Sequence, residues 1–320
     1  MEETKHTEPA AAGGYNFGTF AGVYTPALLT ILGLVMFMRT NFVLGSVGLF
    51  HMFLILLVGG SITLATGLSI SAIATNTDMG GGGAYYLISR VLGPSFGTSI
   101  GLTLFVSQSL AIPFNILGAS EAIVSGWPAL RPWFPAINLA LGAMIFLLVW
   151  KGADWAIKAQ YVIMTVLGLS ILFFLLGPIG NFSLENLRAN WGAAEGVTSL
   201  IPYFAIFFPA VTGIMAGVNM SGDLKSPHIA IPRGTLAALG TAVLLYLVQI
   251  VIAAGCFPRE EMIRTPYRIL TSNALWGLWF MVLAGVQAAT LSTALGWLLG
   301  ALRVLQSLGV DDVLPGIGFF

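Results

Sequence analysis

Eight long apolar runs dominate this 320-residue chain, and they restrict it to folds that are built inside a lipid bilayer. A helix needs roughly 20 apolar residues to cross the hydrocarbon core of a membrane. Only 8% of the residues are charged, whereas a soluble domain carries about 25%. The sequence therefore predicts an all-α, multi-pass membrane protein. The runs lie near residues 20–45, 47–72, 84–124, 134–150, 154–178, 197–220, 229–256 and 274–306.

The rest of the composition argues against several other classes of protein. The formal net charge is zero, which is not the charge of a basic protein that binds nucleic acid. Cys256 is the only cysteine, so neither an intrachain disulfide nor a cysteine metal cluster is expected. The three histidines are too scattered along the sequence to predict a metal site or a hydrolytic triad. We therefore expect no enzymatic activity, no resident metal and no cofactor.

The polar N-terminus differs from the apolar remainder of the chain. It lacks the basic start and the short apolar core of a cleaved signal peptide. We predict a disordered cytoplasmic tail over residues 1–15 and a transmembrane domain over residues 16–320. This orientation places seven of the thirteen Lys and Arg residues inside and six outside. The positive-inside rule alone therefore does not fix the orientation of the chain.

Two of the apolar runs are interrupted near their middle by small residues that expose the backbone. The first interruption is TILG at 30–33, and the second is PAVTG at 209–213. A helix that stops inside a membrane leaves N–H and C=O groups without partners, at several kcal/mol each. Such breaks persist where an ion, a substrate or a water-filled cavity satisfies the freed groups. Paired breaks in an early and a later span are typical of the binding site of a secondary transporter. We therefore predict that spans 1 and 6 are discontinuous helices.

The first break offers groups for ions of both signs. The N–H groups of Leu34 and Val35 would begin a new half-helix, whose positive dipole end attracts an anion. The carbonyl groups of Leu29 and Ile31 and the hydroxyl group of Thr30 would face the same gap and suit a cation. The alternative is a helix that is merely kinked by glycine and packed against a neighbour.

The second break offers a similar set of groups. Pro209 lacks an N–H group, so a carbonyl one turn earlier loses its partner. The first N–H groups of the following half-helix would belong to Gly213, Ile214 and Met215, and Thr212 places a hydroxyl group at the gap. A plain proline kink is the alternative.

Two further features are candidates for function. On the eighth run, Ser292 and Thr293, with the carbonyl group of Ala289 one turn earlier, could bind a small hard cation through oxygen. Alternatively, these hydroxyl groups only bond back to their own helix. An ionisable residue at the depth of Glu121 is a functional candidate by default, although its position favours an interface or a helix end.

Two long segments of the chain are distinctive: FAIFFPAVTGIMAGVNMSGDLK at 204–225 and ISAIATNTDMGGGGAYYLISRVLGPSFGTSIG at 70–101. Both resemble the cation–chloride cotransporters, within the amino acid–polyamine–organocation superfamily. Residues 300–315 resemble the segment that follows the eighth span, and the similarity covers most of residues 18–315. The resemblance implies a transporter fold of five plus five inverted repeats, of which about eight spans are present here.

The resemblance also implies where ions would bind. Two chloride ions would bind to backbone N–H groups, one at Gly33, Leu34 and Val35 and the other at Gly213, Ile214 and Met215. The implied potassium ligands are Thr30, Ile31, Asn115, Pro209 and Thr212. The implied sodium ligands are Leu29, Leu32, Ala289, Ser292 and Thr293.

Three of these positions differ from the family pattern. Thr30 stands where the family usually has asparagine, and Asn115 stands where it usually has tyrosine. Both replacements retain a side-chain oxygen, so an altered cation site remains possible. Leu32 stands where the sodium-coupled branch has tryptophan, at a position that contributes mainly a backbone carbonyl. The pair Ser292 and Thr293 resembles the sodium-coupled branch.

Three functions follow from these features. The leading hypothesis is a secondary active cotransporter of the plasma membrane that moves chloride with sodium or potassium, or both, by alternating access. The second is an amino acid permease of the same fold, in which the N–H groups after Gly33 would bind a substrate carboxylate. The third is a truncated, non-transporting membrane fragment. The expected partners are inorganic ions or small amino acids and the lipid bilayer, with a homodimer if a longer chain exists, and no nucleic acid.

Overall fold

The fold is helical throughout the part of the chain that the structure describes. The computed structural model covers residues 17–77, 83–150 and 153–311, with the backbone alone over 153–157. In these ranges, one parallel bridge between Phe17 and Leu224 is the only β pairing. The predicted tail over 1–15 lies outside them. The α-helices are α1 (Thr25–Ile31), α2 (Leu34–Met38), α3 (Thr40–Asn76), α4 (Gly83–Leu92), α5 (Pro94–Gly126), α6 (Phe134–Trp150), α7 (Ala153–Leu176), α8 (Leu184–Ala189), α9 (Ile201–Phe207), α10 (Met215–Val218), α11 (Pro227–Cys256), α12 (Arg259–Arg264), α13 (Arg268–Ser272) and α14 (Trp279–Val310).

Eight stretches of these described helices are long and apolar enough to cross a membrane, as the sequence predicts. Their outer surfaces are apolar: on α6, for example, Leu139 and Leu147 are 76% and 59% exposed. Such side chains are stable on a surface that lies in lipid. The chain is therefore a multi-pass membrane protein. The spans are Phe20–Met38, Thr40–Asn76, Pro94–Gly126, Pro128–Trp150, Lys158–Asn181, Ile201–Val218, Pro227–Cys256 and Trp279–Val310.

The structure moves two of the predicted span boundaries. The first span ends at Met38, and Thr40 already begins the second. The predicted third run, 84–124, is divided by Gly93, whose φ of 90° ends one helix, and Pro94 begins the next. A proline in the first turn of a helix loses no intrahelical hydrogen bond, so this position suits it. The pair Gly93 and Pro94 predicts a bend near the start of this run, but not a division into two helices, because the residues on both sides are apolar.

The second span changes direction at Gly48, and a loop fills the gap. Gly48 has φ 76° and ψ 166° inside α3. The N–H group of Leu49 donates to the carbonyl of Asn190 (2.8 Å), and the N–H group of Phe50 donates to the carbonyl of Trp191 (3.1 Å). The kink therefore leaves no orphaned donor at these two residues, in accordance with the high cost of unpaired backbone groups in an apolar interior.

The breaks of the two interrupted spans lie in the interior of the bundle. The first span, α1 and α2, is the most deeply buried of the spans in the described ranges. Around it, α14 packs along α5 and α7, and α11 packs along α3. The second interrupted span is the sixth, and its half-helix α10 contacts both α1 and α11. The predicted discontinuity of spans 1 and 6 is therefore confirmed, with both breaks in the interior.

We predict that Gly48→Ala destabilises the protein. A methyl group at this position would lie 2.0 Å from the carbonyl oxygen of Gly192, and the positive φ alone would cost roughly 1–3 kcal/mol. Gly60→Ala in the same helix is the matched control, because its new methyl group would meet only Val243 at 3.7 Å. Thermal unfolding in detergent should show a lowered midpoint for the first variant only. Equal midpoints would contradict the kink at Gly48.

Candidate ion-binding site

The first break separates two helical segments and is held by side chains of α11. The helix α1 ends at Ile31, Gly33 is extended (φ −82°, ψ −151°), and α2 begins one residue later. The hydroxyl group of Tyr246 donates to the carbonyl of Ile31 (3.1 Å), and the side-chain amide of Gln249 donates to the carbonyl of Met36 (2.8 Å). Each half of the span thus has one carbonyl group bonded to α11, which fixes the two halves relative to each other.

The second break is longer than the first. After α9, one tight helical turn covers Phe208–Val211, and Thr212 is extended (φ −93°, ψ 169°). Gly213 has φ 118°, a value that side chains disfavour. The next helical bond runs from the N–H group of Ala216 to the carbonyl of Gly213 (3.1 Å). The half-helices α2 and α10 each contain little more than one turn. Any anion binding there therefore depends on individual N–H groups rather than on a long helix dipole.

The two breaks touch each other. A Cβ atom on Gly213 would lie 2.7 Å from Cγ2 of Thr30, and one on Gly33 would lie 3.2 Å from the hydroxyl oxygen of Thr293. Gly213 has no room for a side chain, and at Gly33 the room is tight. The backbone at both breaks is consequently exposed to one shared space.

A cavity of about 410 Å³ occupies this shared space. All six residues that were assigned to chloride and all five assigned to potassium line it. The lining residues are Thr30, Ile31, Gly33, Leu34, Val35, Ile62, Thr63, Thr66, Ser107, Ala111, Phe114, Asn115, Phe208, Pro209, Ala210, Thr212, Gly213, Ile214, Met215, Thr293 and Trp297. Residues that are as far apart as 30 and 297 in the sequence therefore share one small volume.

Several hydroxyl and amide groups at the cavity direct their donors away from it. The hydroxyl group of Thr30 donates to the carbonyl of Pro26 (2.7 Å), and that of Thr212 donates to the carbonyl of Pro209 (3.0 Å). The side-chain amide of Asn115 donates to the carbonyl of Ala111 (2.8 Å). Each of these groups keeps oxygen lone pairs that can accept. Such oxygens are the ligands that hard cations prefer.

The residues assigned to sodium lie mostly behind the cavity wall, between α1 and α14. The hydroxyl group of Thr293 donates to the carbonyl of Ala289 (2.8 Å) and lies 3.4 Å from the carbonyl of Leu29. Thr293 lines the cavity, whereas Leu29, Leu32, Ala289 and Ser292 do not, and these four are at most 2% exposed. The structure thus joins three of the five assigned residues around one hydroxyl oxygen.

Four lining residues whose side chains carry a polar group were not predicted from the sequence. Thr63 and Thr66 project from α3, Ser107 projects from α5, and Trp297 projects from α14. Trp297 could have been predicted, because it follows Thr293 by four residues and therefore lies on the same helix face. The threonines could not be recognised from the sequence, since hydroxyl residues are frequent in apolar helices and usually bond to their own backbone.

A second cavity, of about 1210 Å³, lies beyond the far end of α2 and carries most of the local charge. Its lining includes the carboxylate of Glu121, which pairs with Arg39 at 3.2 Å. Another lining arginine, Arg264, pairs with Glu260 at 2.8 Å. No ion pair is found for Arg131 or Arg268 among the described residues. This outer cavity is therefore net positive, and Glu121 is an ion-pair partner at the end of α5 rather than an isolated charge.

The family model of the amino acid permeases matches residues 22–320. The chain is 32% identical to solute carrier family 12 member 1 of Mus musculus, with 100% of this chain and 34% of the relative covered. It is also 32% identical to the bumetanide-sensitive sodium-(potassium)-chloride cotransporter of Manduca sexta, with 99% of this chain and 35% of that relative covered. The identity with cation-chloride cotransporter 1 of Arabidopsis thaliana is 31%, with 98% of this chain and 37% of that relative covered.

These relatives confirm the resemblance to the cation–chloride cotransporters. They are transport proteins rather than enzymes, which agrees with the expectation from composition. The chain spans about a third of the length of each of these relatives.

We predict that Gly213→Ala disrupts the contact between the two breaks. The positive φ would cost roughly 1–3 kcal/mol, and the new methyl group would overlap Cγ2 of Thr30. Thr30→Ser removes that methyl group, so the double variant should recover part of the lost thermal stability. Purely additive midpoints in this double-mutant cycle would contradict the contact.

Proposed function

Because the chain belongs to the amino acid permease family, we propose that it forms the core of a secondary active cotransporter. In this proposal it moves chloride together with sodium or potassium, by alternating access, across the plasma membrane. The observation that carries the proposal is the single cavity between the two breaks, which collects backbone N–H groups and oxygen ligands within about 410 Å³. The names of two relatives, a sodium-(potassium)-chloride and a cation-chloride cotransporter, support this choice of ions.

The proposed chloride ligands are N–H groups at the start of α2 and α10. The first bond of α2 runs from the N–H group of Met36 to the carbonyl of Gly33 (3.3 Å). The earlier N–H groups of the turn have no partner within their own helix. In an apolar interior, an anion that accepts from them would remove a cost of several kcal/mol for each unpaired group.

The proposed cation ligands are the oxygens of the cavity wall. Thr30 and Asn115 differ in type from the residues that are usual in the family, yet both lie at the cavity and retain an oxygen. A bound chloride nearby would further favour a cation, because opposite charges attract strongly where water is scarce. This mutual attraction gives a physical reason for moving ions of opposite sign together.

The outer cavity supports an anion as one of the transported ions. Its unpaired arginines would raise the local concentration of chloride before the ion enters the narrow part of the protein. This effect would weaken as ionic strength increases, because the screening length falls to about 8 Å at 0.15 M salt.

The proposed orientation places the N-terminus in the cytoplasm. Phe17 pairs through its backbone with Asp223 and Lys225, so the start of span 1 and the end of span 6 lie on one side. Arg90 and Asp311, which pair at 3.2 Å, also follow spans that return to this side. The outer cavity would then face the extracellular medium.

We predict that the reconstituted chain takes up rubidium, a potassium analogue, only when chloride is present. Proteoliposomes with a chloride gradient should accumulate ⁸⁶Rb⁺, and replacement of chloride by gluconate should abolish uptake. Thr212→Val should reduce uptake, because it removes an oxygen from the cavity wall while preserving side-chain shape. Thr241→Val, a threonine on α11 outside the cavity, is the control.

Two results would contradict this proposal. The first is rubidium uptake that is indifferent to chloride. The second is thermal stabilisation by small amino acids but not by halides, which would instead favour a permease for amino acids.

We also predict that Thr293→Val weakens sodium dependence more than Thr290→Val. Both are buried threonines of α14 that donate to the carbonyl four residues earlier. Only Thr293 also approaches the carbonyl of Leu29 (3.4 Å) and lines the cavity. The half-saturating sodium concentration for chloride uptake should rise for the first variant and stay near the original value for the second. Equal shifts would exclude a specific role for Thr293.

A further inference from the structure

Two buried amide side chains have no hydrogen-bond partner among the described residues. They lie near the cavity between the two breaks, which is the central cavity of the bundle. They are Gln108 on α5, which is 2% exposed, and Asn219 after α10, which is 3% exposed. Both polar atoms of each side chain are unpaired. A buried polar group that lacks a partner is destabilising. Four such atoms in one place therefore indicate that something other than the described side chains satisfies them.

The two amides belong to one polar cluster. A Cβ atom on Gly300 of α14 would lie 2.4 Å from Nδ2 of Asn219 and 2.5 Å from Oε1 of Gln108. These two polar atoms are therefore within about 5 Å of each other, yet they do not form a hydrogen bond. The absence of a side chain on Gly300 provides the room in which the amides approach.

The cluster lies between the cavity and the side of the membrane that carries Phe17. Asn219 is one helical turn beyond Met215, to whose carbonyl its N–H group donates (2.8 Å), and Met215 lines the cavity. Gln108 lies beside Gly300 of α14, which is about one helical turn beyond the lining residue Trp297. The amides thus lie beside the parts of the sixth span and of α14 that leave the cavity in this direction.

The charged groups around the cluster neutralise each other. Arg303, three residues after Gly300, donates to the backbone carbonyl of Asn219 (2.9 Å) and pairs with Asp223. The amides themselves carry no charge. Each amide has a donor end and an acceptor end, so it can interact with an anion through its N–H groups and with a cation through its oxygen.

We propose that Gln108 and Asn219 form a site that ions of both signs occupy transiently as they pass between the central cavity and the cytoplasm. This inference rests on the proposed function and on its orientation. A fixed charge at a narrow point would impede one of the two transported ions, whereas neutral amides replace part of the hydration shell of either. In the described state the path is closed here, because both side chains are buried against Gly300.

Accessibility of an introduced cysteine tests the site without requiring transport. Gln108→Cys is made in a Cys256→Ser background, which removes the only natural cysteine, and is treated with a membrane-impermeant methanethiosulfonate reagent from each side. We expect modification from the N-terminal side only. Labelling would occur only while the path is open. If this open state has a population of about 0.1–10%, the labelling rate is that fraction of the rate for a permanently exposed cysteine.

Two matched variants make the result decisive. Ser107→Cys, at a neighbouring position that lines the cavity, should be modified readily. Gln249→Cys replaces an equally buried glutamine, 1% exposed and bonded to Met36, and should stay unmodified. Modification of the cysteine at 107 but not at 108, from either side, would overturn the proposal. All variants are first checked by size-exclusion chromatography, and Asn219→Cys replaces Gln108→Cys if the latter does not fold.

Transport measurements separate failure of this site from failure of the proposed function. Gln108→Leu has a similar volume and no polar atoms, and it should slow both ³⁶Cl⁻ and ⁸⁶Rb⁺ uptake several-fold without changing the half-saturating external concentrations. Undiminished uptake in this variant would also overturn the site. The chain without substitutions could show no chloride-dependent uptake while the Gln108→Cys variant is still modified by the reagent. That result would support the path through this site and contradict the assignment of its ions.

Discussion

The hydrogen bonds from α11 to the first span are the interactions on which the remaining arrangement depends. Breaking a helix inside a membrane exposes backbone groups that lipid cannot satisfy. Tyr246 and Gln249 donate to one carbonyl on each side of the break, and both side chains are almost completely buried. An unmade bond at such a position costs about 1–3 kcal/mol. The break is therefore a defined structure held from outside, and α1 and α2 keep a fixed relation to each other.

The second constraint is the close approach of the two breaks. At Gly213 the first span occupies the space that a side chain would need, and at Gly33 the hydroxyl group of Thr293 leaves little room. The cavity is consequently bounded by backbone groups and short hydroxyl side chains on this side, with α3, α5 and α14 completing it. Backbone N–H groups and carbonyl oxygens are fixed dipoles, and they need little reorganisation to bind an ion. This geometry explains how one small volume can serve ions of opposite sign under the proposed function.

Polarity is distributed differently on the two sides of the cavity. The outer cavity is large and carries arginines in excess over carboxylates, whereas the cluster of Gln108 and Asn219 is buried and carries neutral amides. In a wide, hydrated space a fixed charge attracts ions over several ångströms at small desolvation cost. In a narrow apolar space the same charge would be costly to bury and would exclude ions of its own sign. Under the proposed function, the two regions therefore suit the capture of hydrated ions and the passage of partly dehydrated ions, respectively.

Much of this fold followed from the sequence, because membrane spans depend on local composition. The eight apolar runs predicted eight spans, and TILG and PAVTG predicted the two breaks, since a break requires particular residues at the break itself. The pair Gly93 and Pro94 indicated a bend in the third run, but the apolar residues on both sides conceal that one helix ends there and another begins. The cavity residues of the breaks were named from the breaks themselves, and Asn115 was named only through a resemblance, whereas Thr63, Thr66, Ser107 and Trp297 were not named at all.

The sequence by itself determined the membrane location, the number of spans and the positions of the two breaks, each of which is encoded in a short continuous stretch. Only the tertiary structure decided what those breaks face. The contact of Gly213 with Thr30, the bonds from Tyr246 and Gln249, and the meeting of Gln108 with Asn219 each join residues about a hundred or more positions apart. Such contacts depend on how helices pack together, and helix packing is a property of the whole bundle rather than of any one segment.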